Sequence, residues 1–170
     1  MKRMPSLMLI AAAVAVGCSP AAVNDAAVPK EKPAAVKPVA CSKSVPKGWI
    51  EDFAAAKRQA EKENKRIVMA ISGSDWCPWC VKLDKDVYAR PKFVAEASKN
   101  FVLVMIDNPQ DRSILSPLAQ EQNESLLTKY GVRGYPTTLV LDAKGEVLAR
   151  FSGYRAGGPA AMLKALAEVK

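Results

Sequence analysis

The chain has 170 residues, 49% of them hydrophobic, enough to bury one ordinary core and hardly two. Its 25 basic and 17 acidic residues leave a formal charge of +8, yet from Gly48 onward 18 basic side chains face 15 acidic ones. Most of the excess therefore lies outside the presumed domain. No basic stripe interleaved with aromatics runs through that domain, so no nucleic-acid partner is expected.

Lys2 and Arg3, the apolar stretch Leu7 to Val16 and the small residues after it read as an export signal over residues 1–17. That stretch is too short to span a bilayer as a stable helix. Ala15-Val16-Gly17-Cys18 resembles a bacterial lipobox, which implies cleavage before Cys18 and a lipid on that cysteine; ordinary signal cleavage nearby is the alternative. By the same resemblance, Ser19 implies delivery to the outer membrane. Residues 18–47 are rich in Ala, Pro and Lys with no apolar periodicity, and read as an extended, solvated linker. A tether of roughly 30 residues at about 3 Å each reaches on the order of 90 Å when fully extended.

The domain is expected over residues 48–170. Trp49, Ile50, Phe53, Ala56 and Ala60 have helical spacing, which predicts a first helix ending in the charged run Glu61 to Arg66. Ile67 to Ile71 is a continuous apolar run and predicts a strand buried on both faces. Helices follow over about Cys77 to Tyr88 and Pro91 to Ser98, then a second apolar strand, Phe101 to Ile106. Asp107 to Ser116 reads as a polar loop, and Gln120 to Tyr130 as a helix stopped by Gly131. Thr137 to Leu141 and Glu146 to Phe151 are strands joined by Asp142-Ala143-Lys144-Gly145, a hairpin signal. A last helix runs from about Pro159 to Val169. This order demands an α/β fold: a mixed central sheet of four or five strands with helices on both faces.

Chemistry concentrates in Trp76-Cys77-Pro78-Trp79-Cys80, where a buried strand gives way to a helix. With Cys77 as N-cap, Pro78 falls at the first helical position, where its missing N–H costs nothing. The sulfur then faces unpaired amides and the positive end of the helix dipole, which favour thiolate over thiol. Cys80 lies one turn deeper on the same face, placed to resolve a mixed disulfide formed at Cys77. The chain has no histidine, which removes a c-type haem site and a Cys-His hydrolase. After lipidation only Cys41, Cys77 and Cys80 would remain as thiols, too few for structural zinc, so neither a metal nor a cofactor is expected. Cys41 reads as an incidental thiol, a site for pairing with another chain, or a third redox group.

Three segments carry a family resemblance: Gly73 to Cys80, Lys129-Tyr130-Gly131-Val132-Arg133-Gly134-Tyr135-Pro136-Thr137, and Leu141 to Gly145. They resemble the thioredoxin superfamily, and within it exported thioredoxin-like proteins and the C-terminal domain of the membrane thiol:disulfide interchange reductase. The resemblance runs from about Trp49 to Lys170 and implies the thioredoxin fold. It implies that Cys77 attacks, Cys80 resolves, and a cis Pro136 packs beside the pair to hold an extended substrate strand. Tyr135 and Thr137 would lie beside that substrate. Trp76 and Trp79 flank the reactive sulfur, with Pro78 between them, and if exposed would form an apolar rim for a partner, a core role being the alternative for Trp76. Thioredoxin keeps a buried acid in the strand before its motif, whereas Ile67 to Ile71 has none. Asp75 and Lys82 are the nearest titratable groups in sequence and are the candidates for proton transfer.

The expectation is a thiol-disulfide oxidoreductase that reduces or isomerises disulfides in exported proteins. Its partners would be exported cysteine-containing proteins and a membrane thiol donor, met from a lipid-anchored position facing the periplasm. A dithiol oxidase, or a non-catalytic binding module on a lipid tether, is the alternative.

Overall fold

The computed structural model describes residues 45–170. The expected signal segment, the linker up to residue 44, Cys18 and Cys41 lie outside the described residues. Val45, read from sequence as linker, packs against the core.

Helix α1 spans Phe53–Glu63 and begins later than its apolar spacing predicts. Asp52 caps it by accepting from the Ala55 amide at 2.8 Å, and Asn64 ends it in the left-handed conformation. Trp49 and Ile50 precede the helix and are held down by other means. The Trp49 indole N–H donates to the Tyr88 carbonyl at 3.1 Å. Ile50 forms a single parallel bridge to Val104, bonding Leu103 and Met105 at 2.9 Å each. Their apolar character reflects burial without helical phase.

Strand β1 covers Arg66–Ser72, β2 Phe101–Asp107, β3 Thr137–Leu141 and β4 Val147–Ser152. They form one sheet in the order β2-β1-β3-β4, with β1 parallel to β2 and antiparallel to β3. The continuous apolar runs are strands buried on both faces: every residue of β2 and β3 is buried although β2 ends the sheet on one side, while β4 at the other edge is largely exposed.

Helix α2, Pro78–Leu83, continues as a π-helical turn over Asp84–Tyr88, and α3 follows at Pro91–Ala97. Helix α4 occupies Pro117–Lys129 and α5 Gly158–Ala167. On one face Leu83, Tyr88, Phe93, Met162 and Leu166 pack against Val68, Ala70 and Leu103. On the other, Phe53, Ala60, Leu126 and Tyr130 cover Ile67, Met69 and Val104. This alternation along β1 is the period of two that a strand imposes. Helix α4 starts three residues before its predicted position because Ser116 accepts from the Ala119 amide and Pro117 opens the first turn. The loop before it contains a 3-10 turn at Arg112–Ile114. No helix among the described residues is long and apolar enough to cross a membrane.

The strand registers gather four loops at one end of the sheet. Ile71 pairs with Thr137, Ser72 with Asp107, and Thr137 with Ser152. The segment after β1, the loop after β2, the approach to β3 and the exit from β4 therefore meet around the cysteines.

Candidate active site

Cys77 is the N-cap of α2, with Pro78 at its start. Its Sγ accepts from the Cys80 amide at 3.2 Å. Cys77 and Cys80 are joined by a disulfide across a Cα–Cα distance of 5.2 Å. Cys77 keeps 5% of its surface exposed and Cys80 1%, so an incoming sulfur meets Cys77 first.

The loop carrying Cys77 is pinned from both sides. The buried carboxylate of Asp107 accepts from the Ser74 amide at 2.9 Å and from its hydroxyl. Asp75 accepts from the amides of Gln110 and Asp111 at 2.9 and 2.8 Å, and these bonds hold its carboxyl below the usual range. The Trp76 indole N–H donates to the Asn108 carbonyl at 2.8 Å, while the Asn108 side chain donates to the Tyr135 hydroxyl at 2.8 Å. Trp76 also meets Tyr135 edge to face. A Cβ on Gly73 would lie 2.4 Å from the Trp76 ring, so only glycine lets the indole lie against this backbone.

The Tyr135-Pro136 bond is cis. Thr137 is buried and its hydroxyl donates to the Gly134 carbonyl at 2.8 Å. Trp79, 57% exposed, stands over a groove of about 320 Å³ that it lines with Tyr135, Pro136, Gly153 and Tyr154. Trp76 is 38% exposed on the other side of the motif. Of the six residues read from sequence as substrate-binding, Trp79, Tyr135 and Pro136 line this groove, Trp76 packs on Tyr135, Pro78 opens α2 and Thr137 is buried.

A family model for a thioredoxin-like domain matches residues 53–170. The chain belongs to the thioredoxin-like family. The disulfide bond reductase DsbH of Chlamydia pneumoniae is 35% identical over 112 residues, covering 65% of this chain and 66% of that protein. A solved DsbH oxidoreductase superposes with a TM-score of 0.66 at 27% identity, covering 76% of this chain and 90% of that one. The oxidised C-terminal domain of DsbD from Neisseria meningitidis matches at a TM-score of 0.51 and 16% identity, covering 72% and 99%, a likeness of fold.

This thioredoxin-like domain places its titratable groups differently from the sequence reading. Asp75 is tied to the neighbouring loop, and Lys82 forms an ion pair with Asp86 at 2.8 Å on the surface. The carboxyl on the inner side of α2 is Asp84, one turn beyond Cys80, whose amide donates to the Cys80 carbonyl. Burial, with a further contribution from the charge on Asp107, pushes its pKa up from 3.8 to about 7. Ser72, the register partner of Asp107, has its hydroxyl buried without a hydrogen-bond partner. An acid four residues past a CxxC motif was the available signal for Asp84, since that spacing returns a side chain to the same helical face.

A folded-state pKa of about 7 against an ordinary 3.8 means that the unfolded chain releases this proton first. Stability is therefore lost as pH rises between those values, and the full penalty applies above about 7. Asp84→Asn is expected to raise stability at pH 8 by on the order of 1–2 kcal/mol, discounted for partial solvent screening, and to leave it unchanged at pH 4. Urea unfolding of the oxidised protein at both pH values measures this, and an equal effect at both contradicts the assignment.

Proposed function

We propose that the chain is a thiol-disulfide oxidoreductase working in the reducing direction on exported polypeptides. The observation that carries this reading is the Cys77–Cys80 disulfide at the start of a helix, with the Cys80 amide directed at the Cys77 sulfur. The direction is supported by the likeness to a protein named as a disulfide bond reductase.

In the reduced state, the amide donor and the helix N-terminus favour a thiolate at Cys77. That thiolate attacks one sulfur of a substrate disulfide, forming a mixed disulfide and releasing the other substrate sulfur as thiolate. Asp84, as carboxylate, takes the proton from the Cys80 thiol directly or through one water. The Cys80 sulfur attacks Cys77 Sγ, closes the local disulfide and releases the second substrate thiolate. Two electrons pass to the substrate, and a dithiol donor at the membrane restores the pair. Trp76, Pro78, Trp79, Tyr135 and Pro136 hold the substrate segment across Cys77, with Thr137 supporting them from below.

Lipid attachment at Cys18 and a solvated linker that ends before Val45 would hold the domain at the periplasmic side of the outer membrane. The lipobox-like run ending at Cys18 supports that placement, as does the Ala, Pro and Lys composition of the linker.

Insulin reduction with a dithiol donor is expected to proceed with the wild type and to fall to background in Cys77→Ser; equal rates in the two reject the reading. Cys80→Ser is expected to retain partners covalently at Cys77. Release of the mixed disulfide should accelerate as pH rises through about 7, where Asp84 ionises. In Asp84→Asn that inflection should move toward the ordinary thiol range of about 8.5, as read by stopped-flow kinetics. For the anchor, Cys18→Ala should move the protein from the membrane to the soluble fraction, and an unchanged distribution rejects lipidation there.

A further inference from the structure

Tyr154 follows β4 and is half-buried between Trp79 and the surface of α2. Its ring lies 5.6 Å from that of Trp79, tilted by 37°. Its hydroxyl donates to Asp86 at 2.9 Å, and the same carboxylate oxygen accepts from Lys82 at 2.8 Å. The Lys82 ammonium stands 5.3 Å from the centre of the tyrosine ring. Three contacts from α2 and its π-helical turn thus fix a tyrosine that the chain delivers from the opposite side of the groove.

Most of Trp79 remains in solvent although it occupies a fixed place beside the disulfide, and an apolar surface held in this way marks a docking position. The groove walls are Trp79, Tyr154, Tyr135 and Pro136, with Gly153 leaving the floor open, and no ionised group lines it. Trp79 lies between the cysteines in sequence and Pro136 borders the same groove, so a polypeptide whose sulfur reaches Cys77 must lay its neighbouring residues here. The volume of about 320 Å³ suits one large side chain with its backbone.

We infer that Trp79 and Tyr154 form an aromatic slot for the apolar or aromatic residue flanking the substrate cysteine, and that Asp86 sets the slot by holding the Tyr154 hydroxyl. This deepens the reading above and rests on it: the occupant is an extended segment of a disulfide-bonded polypeptide, selected by what stands next to its cysteine. Lys82, placed by sequence among the proton-transfer candidates, acts here by orienting Asp86.

The test uses two peptide disulfides that differ only in carrying phenylalanine or glycine on either side of the cysteine, with hydroxyethyl disulfide as a reference substrate. The wild type is expected to prefer the phenylalanine peptide by roughly threefold to tenfold in kcat/KM, the range of one aromatic contact. In Tyr154→Ala the ratio should fall toward one. In Tyr154→Phe and Asp86→Asn, which keep side-chain volume, it should fall part of the way; unchanged ratios in both overturn the positioning role of Asp86. Equal turnover of the two peptides by the wild type, or an undiminished ratio in folded Tyr154→Ala, overturns the slot. If the wild type reduces neither peptide nor hydroxyethyl disulfide, the oxidoreductase reading itself fails, and the slot with it.

Discussion

β1 is hydrogen-bonded on both edges and buried on both faces, and its register determines what can meet at the redox end of the sheet. Pairing with β2 from Arg66↔Phe101 to Ser72↔Asp107 brings Asp107 and Asn108 beside the cysteine loop. Antiparallel pairing with β3, ending at Ile71↔Thr137, brings Pro136 to its other side. A slip of one residue would exchange Ile67, Met69 and Ile71 with Val68 and Ala70 between the two buried faces and mismatch the packing of both core layers. The hydrophobic effect therefore holds the site together at a distance, by enforcing a register whose far end is polar.

At that polar end, the placement of charge serves the chemistry. Cys77 sits where a helix offers unpaired N–H donors, which is a favourable place for a negative sulfur. Asp84 sits one turn deeper, where partial burial and the negative charge of Asp107 disfavour its ionisation. The first arrangement stabilises an anion at the mouth of the site, and the second keeps a proton acceptor balanced near neutrality behind it. Both follow from α2 being seated with its N-terminus at the loop and its inner side against the ends of β1 and β2.

Much of the fold was legible in the sequence because burial and periodicity agree over most elements. The apolar runs of β1 and β2 read as buried strands, and the hairpin signal at Asp142 to Gly145 placed β3 and β4. The start of α1 was misplaced because Trp49, buried, and Ile50, half-buried, are held at helix-like spacing by an indole hydrogen bond and a lone bridge. The start of α4 was missed because Ser116 and Pro117, a capping pair, were read as part of a polar loop. Cys77, Cys80 and Pro136 could be picked out because local spacing and family motifs mark them. Asn108 and Tyr154 carry no such mark, since each owes its position to a partner 20 or more residues away in sequence; Asp84 is marked by its spacing from Cys80, but its raised pKa comes from burial that only the packed sheet creates.

The hydrogen bonds from Gln110 and Asp111 to Asp75, and those through Asn108 to Trp76 and Tyr135, lock three loops into one block. Such a scaffold leaves little room for loops to be lengthened or redrawn without loosening the sulfur pair. Trp79 and Tyr154 project from the outside of that block, and neither side chain bonds to its internal hydrogen-bond lattice. Descendants of this chain could therefore trade one clientele for another by exchanging two rings, while inheriting the redox cradle intact.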